Sequence, residues 1–403
     1  MKKINFYLLA AILYGIFLSL YFPESIEFKN DEQLAVKYLS EPESFQDTLK
    51  LKTPNEGRGV NHSMLPTRFV GMLTYLLFDN DFTPVSLRFL YTVVPISIIF
   101  LFSSRILNSK NKLFILFTLA LGITNPYSLL IIRKLWTHGG PITMAGYLII
   151  FLLLFERKTK IDNFLLGCFV WILVTLHTTA ILYSLSISFL VLLYFKKNKS
   201  EIKYFVYGSL TGIAISSQWI YKVITQLGQS NNLLSSQGES AYWVLMVQYL
   251  KLESIKFDIG IEFFSNSLMR NISFTAGLLV GALVVLNIAL IFSYQFRDII
   301  LFSPFIITGI LFIISDLYLY PRYVVSFWPL VYIPLTVTML PKYHNIKIRK
   351  IIKSLLILLL SLNMIQSSIL FNEINSNPEN IEGNIGKVYN ICGNKVDDAK
   401  ACR

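Results

Sequence analysis

Residues 272–294 read ISFTAGLLVGALVVLNIALIFSY, an uncharged apolar run of the kind that seeks hydrocarbon rather than water. A bilayer core is crossed by about 20 predominantly apolar residues in a helix, and a helix satisfies its own backbone donors and acceptors where no water can. The run therefore predicts a transmembrane helix. Outward from it, comparable stretches occupy 84–106, 113–132, 141–155, 164–176, 180–195, 204–225, 299–314, 323–340 and 351–371. One more, 4–22, follows Met1-Lys2-Lys3; it is long for a secretory signal and has no small-residue cleavage site before Pro23-Glu24, so it reads as an uncleaved first helix. The expected fold class is an all-α polytopic membrane protein with about eleven transmembrane helices.

Composition agrees with that reading. The 403 residues are 54% hydrophobic and 15% charged, with a mean hydropathy of +0.56, far from the balance of a water-soluble chain. A net charge of +12 would suit nucleic acid, but no basic stripe or aromatic platform accompanies it. Basic residues interleaved between apolar runs instead follow the positive-inside bias. With the amino terminus inside, alternate connections carry Arg105, Lys110 and Lys112; Arg157, Lys158 and Lys160; Lys196, Lys197, Lys199 and Lys203; Arg297; and Lys342, Lys347, Arg349 and Lys350. All are short and basic, as cytoplasmic loops are.

The complementary connections differ in kind. Residues 23–83 and 226–271 are long, mixed in charge and rich in Ser, Asn, Glu and Pro, and the tail 372–403 is polar. These belong outside, which makes the carboxyl terminus extracytoplasmic. The domain plan is one transmembrane domain over 1–371 and a short tail over 372–403. Cys392 and Cys402 in that tail are placed to pair in an oxidising compartment, while Cys168 lies in an apolar run as a core residue. No inner loop is long enough for a nucleotide-binding domain, and neither a P-loop nor an internal repeat is visible. Short amphipathic stretches at 30–39, 67–78 and 241–252 predict interfacial helices in the outer loops.

Two constellations carry chemistry. Asp31 and Glu32 follow the first span closely; a carboxylate there suits deprotonation of a hydroxyl, a divalent metal, or simple capping of the surface helix at its positive end. Basic groups on the outer side form the second: Arg58, Arg68, Arg88, Arg133, Lys134, Arg270 and Arg322. Arg88 and Arg322 stand in or beside apolar runs, where a charge needs a partner. Guanidinium groups suit bidentate phosphate recognition; snorkelling, or pairing with Asp79, Asp81 or Asp316, is the structural alternative. His62 and His138 fall near outer loops with His177, and no pair has the spacing of a structural zinc site.

The order of these features resembles the GT-C superfamily of membrane glycosyltransferases, especially the branch of protein O-mannosyltransferases and aminoarabinose transferases. Asn30-Asp31-Glu32 is similar to the family's acidic motif after the first span. His62-Ser63-Met64-Leu65-Pro66 looks like a weak counterpart of its proline-containing segment, and Tyr320-Pro321-Arg322-Tyr323 resembles its late Arg-Tyr segment. The resemblance implies Asp31 as catalytic base with Glu32 beside it, and Arg322 at the donor phosphate. Arg88, Arg68, Arg58 and Arg133 are further phosphate candidates, and His62, His138 and Tyr323 candidates for contact with acceptor or sugar. It implies a polyprenyl-phosphate-linked sugar donor, a lipid, glycan or protein acceptor, and a bacterial cytoplasmic membrane with the site facing outward. One departure stands out: 133–140 reads RKLWTHGG, without the acid many relatives carry there, which leaves metal dependence open. Two rival classes are a transporter of lipid-linked oligosaccharide, which would need polar groups along a path (Asn287 and Asn363 are polar exceptions), and a glycan polymerase or ligase, which would lean on the arginines more than on Asp31.

Overall fold

The computed structural model describes residues 2–21, 39, 40, 42–51, 64–78, 84–132, 140–156, 159–176, 180–194, 199–227, 267–302, 327–344 and 346–376. In chain order its helices are α1 (Lys2–Leu20), α2 (Phe45–Thr48), α3 (Met64–Phe78), α4 (Pro84–Leu107), α5 (Lys112–Thr124), α6 (Pro126–Ile131), α7 (Pro141–Glu156), α8 (Lys160–Ile172), α9 (Ala180–Tyr194), α10 (Lys199–Leu227), α11 (Ser267–Tyr294), α12 (Ile333–Thr336) and α13 (Ile348–Ser376). Short 3-10 turns cover Leu173–Thr175, Phe296–Phe302, Leu330–Tyr332, Val337–Met339 and Pro341–Tyr343. Among the described residues there is no strand. Among the described residues four helices are long and apolar enough to cross a membrane: Lys3–Leu20, Ser86–Leu107, Ser267–Tyr294 and Ile348–Glu373.

Burial follows the hydrophobic pattern. α5 is apolar all round and, beyond Leu113, wholly buried; α7 is nearly so, as befits helices at a bundle centre. The four long helices bury only 33–44% of their apolar windows. Their outer faces show Phe6, Leu13 and Phe17 on α1, Phe100 and Leu101 on α4, Leu278, Val285 and Phe292 on α11, and Leu358 and Ile365 on α13. Such a girdle would aggregate in water and is at home against lipid.

Cross-links fix the helix directions. Tyr7 Oη meets Ser361 Oγ at 2.9 Å and Tyr14 meets Ser368 one step further along, so α1 and α13 run parallel. Asn363 donates to the Leu121 carbonyl at 3.3 Å and Ser367 to that of Thr124 at 2.7 Å, so α5 runs with them. α8 and α10 form a second parallel pair, with Ser216 Oγ on the Trp171 carbonyl and Trp219 Nε1 on that of Val174, both at 3.0 Å. Their contact is built on glycine: a Cβ on Gly167 would strike the Phe205 carbonyl, one on Gly208 that of Phe164, and one on Gly212 would lie 2.5 Å from that of Cys168. Gly208 and Gly212 form a G-x-x-x-G pair of the kind that lets helices approach backbone to backbone in membranes.

Two expected spans are broken. The stretch 113–132 divides into α5 and α6 because Pro126 biases Asn125 to an extended backbone (φ −67°, ψ 127°). Asn125 Oδ1 then accepts from Tyr127 N at 3.0 Å and Ser128 N at 3.2 Å, capping the new helix. In 323–340 the described part, from Phe327, is a chain of 3-10 turns around the four-residue α12, since Pro329 and Pro334 each remove a backbone donor. Of 299–314, residues 299–302 lie in a 3-10 turn and the rest is outside the described residues.

Asn287, fully buried, ties α11 to this irregular stretch. Its Nδ2 donates to the carbonyls of Leu283 (2.7 Å) and Leu335 (2.9 Å), and its Oδ1 accepts from Thr338 N (3.3 Å) and Oγ1 (2.7 Å). Asn363 likewise bonds to backbone. Asn287→Ala is expected to lower the unfolding free energy in mixed micelles by about 1–2 kcal/mol, the range for interhelical hydrogen bonds in membranes. Unfolding indistinguishable from the native chain would show that the amide holds nothing together.

Charged partners gather at one end of the bundle. Arg105 pairs with Asp162 at 2.9 Å, and Asp162 completes a capping box with Thr159 at the start of α8. Ser109 bonds to Glu156, and Asn111 to the Phe155 carbonyl at 3.0 Å. Buried Asp298 takes Lys342 and, at 2.6 Å, the Tyr343 hydroxyl.

Candidate functional site

The opposite end holds the remaining functional candidates that the structure describes. α4 begins there, because its far end and that of α7 meet through the Ser109–Glu156 bond. Arg88 lies four residues into α4 and is only 2% exposed. Tyr91 and Thr92 follow at helical spacing on the same face. Thr92 Oγ1 donates to the Ile132 carbonyl at 3.3 Å, tying this face to the end of α6, where the chain runs on into 133–139. A guanidinium so deep in an apolar segment requires compensating polar contacts.

A second cluster stands at the same end. Tyr147 of α7 stacks on Phe327 with centroids 4.2 Å apart at 29°, and meets Tyr183 of α9 edge-on at 6.3 Å and 70°. Tyr183 and Phe327 are themselves in ring contact. Trp328 lies over Gly122, so any side chain there would displace the indole. The Tyr91 and Tyr147 hydroxyls and the Trp328 indole N–H are buried and have no hydrogen-bond partner among the described residues. Buried donors of this kind are costly unless something answers them.

A short platform completes this end. α3 matches the surface helix expected over 67–78. It rests on 45–51, with Leu51 and Leu39 against Gly71 and Phe45 edge-on to Tyr75 at 6.3 Å, and approaches the Leu173–Thr175 turn. Leu76 and Leu77 remain exposed. Arg68, partly buried on α3, donates its Nε to the Leu51 carbonyl at 3.3 Å. Ser44 caps α2, and Lys50 and Ser44 beside Asp47 hold its carboxyl below the usual value.

Of the residues singled out from sequence, Arg68 and Arg88 are thus placed, on different helices at the same end, and Arg270 stands exposed in the first turn of α11. Asp31, Glu32, Arg58, His62, Arg133, His138, Arg322 and Tyr323 lie outside the described residues, as do the stretches 30–38 and 241–252 and the tail cysteines. Among the described residues no three His, Cys, Asp or Glu side chains gather as metal ligands. Sequence reading missed Tyr91, Tyr147 and Tyr183, whose signal is a hydroxyl placed deep in an apolar run. It also missed the carboxylates Asp162, Glu156 and Asp298, whose partners are remote in sequence.

No protein-family model, curated protein or solved structure matches this chain.

Proposed function

We propose that this chain is an eleven-span glycosyltransferase that moves a sugar from a polyprenyl-phosphate donor to an acceptor on the outer face of a bacterial cytoplasmic membrane. The helix directions support the span number. On an alternating path α1, α5, α8, α10 and α13 are odd-numbered spans, and the parallel sets α1–α5–α13 and α8–α10 agree with it. Basic connections gathered at one end support a cytoplasmic reading of that end under the positive-inside bias, and with it a reading of Arg88 as near the outer surface.

Arg88 is the observation that carries the reading: a nearly inaccessible guanidinium near the start of α4, one helical turn before Tyr91 and at the end of the bundle away from the basic connections. A departing lipid phosphate needs fixed positive charge more than it needs covalent help. In this mechanism Asp31 takes the acceptor hydroxyl's proton, the oxygen attacks the anomeric carbon, and the sugar–phosphate bond breaks. Arg322 and Arg88 receive the anionic polyprenyl phosphate. Tyr147, Tyr183 and Phe327, buried against one another at the same end, would back the site from within. Asn287 and Asn363 donate to backbone carbonyls of neighbouring segments, which favours the transferase over the transporter reading.

Arg88→Lys keeps the charge and loses the fork. It is expected to melt within a few degrees of the native chain while kcat/KM for the lipid-linked donor drops about 10–100-fold, the loss typical of one bidentate charged contact. Native donor kinetics in a well-folded Arg88→Lys chain would take Arg88 out of the site.

A further inference from the structure

At the basic end of the bundle, away from Arg88, three chain segments enclose a cavity of about 510 Å³. Asn5 of α1, the α4–α5 connection and the approach to α13 line it. Six cationic side chains face it: Lys110, Lys112, Lys347, Arg349, Lys350 and Lys353, with His344 at the margin. Among the described residues the lining holds no carboxylate. Ser109 at the rim is bonded to Glu156, whose side chain is buried and is not part of the lining. The acids at this end are otherwise engaged: Asp162 with Arg105 and Asp298 with Lys342.

The positive-inside bias explains how many basic residues lie here. It does not explain their convergence on one hollow without acids, since like charges brought together repel. Part of the lining is held in place: Arg349 donates to the Met339 carbonyl at 2.8 Å and sits against His344 Nδ1 at 3.3 Å. Lys112 reaches the Leu107 carbonyl at 2.7 Å. Lys110, Lys347, Lys350 and Lys353 make no ion pair with any described residue. The positive end of α13 adds to the field. Apolar side chains share the lining with the cations: Leu113, Met339, Pro341 and Ile346.

We propose that this cavity binds the phosphate headgroup of an anionic phospholipid from the leaflet at that end, its acyl chains leaving past these apolar lining residues. A phosphodiester supplies the negative charge that the six cations lack, and the apolar share of the lining favours a lipid over a free phosphate ester.

The test uses the full chain in neutral detergent, titrated separately with phosphatidylglycerol, phosphatidylcholine and glycerol 3-phosphate and followed by thermal melting. Phosphatidylglycerol alone is expected to raise the melting temperature saturably. Lys347→Gln with Lys350→Gln, both exposed and so not needed for folding, is expected to weaken its half-saturation about 25-fold, at about fivefold per lysine. Lys203→Gln, basic and at the same end but outside the lining, is expected to change nothing. An equal loss in Lys203→Gln, or none in the double variant, would mean general charge attraction and overturn the site. Stabilisation by glycerol 3-phosphate at the same concentration would make the occupant a soluble phosphate ester and overturn the lipid assignment.

Discussion

Asp31→Asn should insert, fold and melt as the native chain does, yet transfer sugar at least a hundredfold more slowly. General-base catalysis supplies about 10²–10⁴ in rate, and the amide is isosteric but cannot take a proton from the acceptor. If Asp31 merely capped a surface helix, the change to asparagine would be nearly silent, because asparagine caps as well as aspartate does. The substitution thus separates the two roles that the sequence leaves open at this position. Arg322→Ala measured in the same assay separates the reaction classes. A base-dependent transferase loses most with Asp31→Asn, whereas a glycan ligase relying on fixed positive charge loses most with Arg322→Ala. Full transfer by Asp31→Asn would remove this residue from the mechanism and leave the transferase reading without its base.

Gly208→Val is expected to destabilise the chain by about 2–4 kcal/mol. The nearest atoms to a Cβ there are the Phe164 carbonyl group and the Cys168 amide, backbone that cannot swing aside as a side chain would. α8 and α10 must then separate, which strains or breaks the bonds of Ser216 and Trp219 to α8 carbonyls. Overpacking alone costs about 1–3 kcal/mol, and two weakened hydrogen bonds add about 1 kcal/mol more. Gly281→Val is the internal control. Nothing lies within 4 Å of a Cβ at Gly281, so the same substitution on α11 should leave denaturation in mixed micelles unchanged. Equal behaviour of the two variants would refute the close-packed account of the α8–α10 seam.

Where helices lie was readable because span length is a direct consequence of bilayer thickness. Residues 272–294 fall inside α11 and 351–371 inside α13. What escaped was local chemistry within apolar runs. Asn125-Pro126 is a break signal that hydropathy averages away, and Pro329 with Pro334 did the same to 323–340. The Gly208/Gly212 spacing is equally visible in the sequence but has meaning only once a partner helix is known. The acids opposite Arg105, Ser109 and Lys342 were invisible for a different reason: Asp162, Glu156 and Asp298 lie tens of residues away, and contact between them is a property of the bundle. The candidate site divides in the same way. Arg88 was legible as a charge in hydrocarbon, whereas Tyr147, Tyr183 and Phe327 come from three separate segments, and no spacing rule links them.

The interruption at Asn125 leaves the middle of the bundle dependent on α13, which comes late in the chain. The carbonyls of Leu121 and Thr124, beside the break, receive donors from Asn363 and Ser367, residues synthesised some two hundred and forty positions later. A ribosome that stopped before residue 348 would release a protein whose centre held unanswered carbonyls in oil. α13 is therefore a keystone, and the early spans can only wait, loosely assembled, until it arrives.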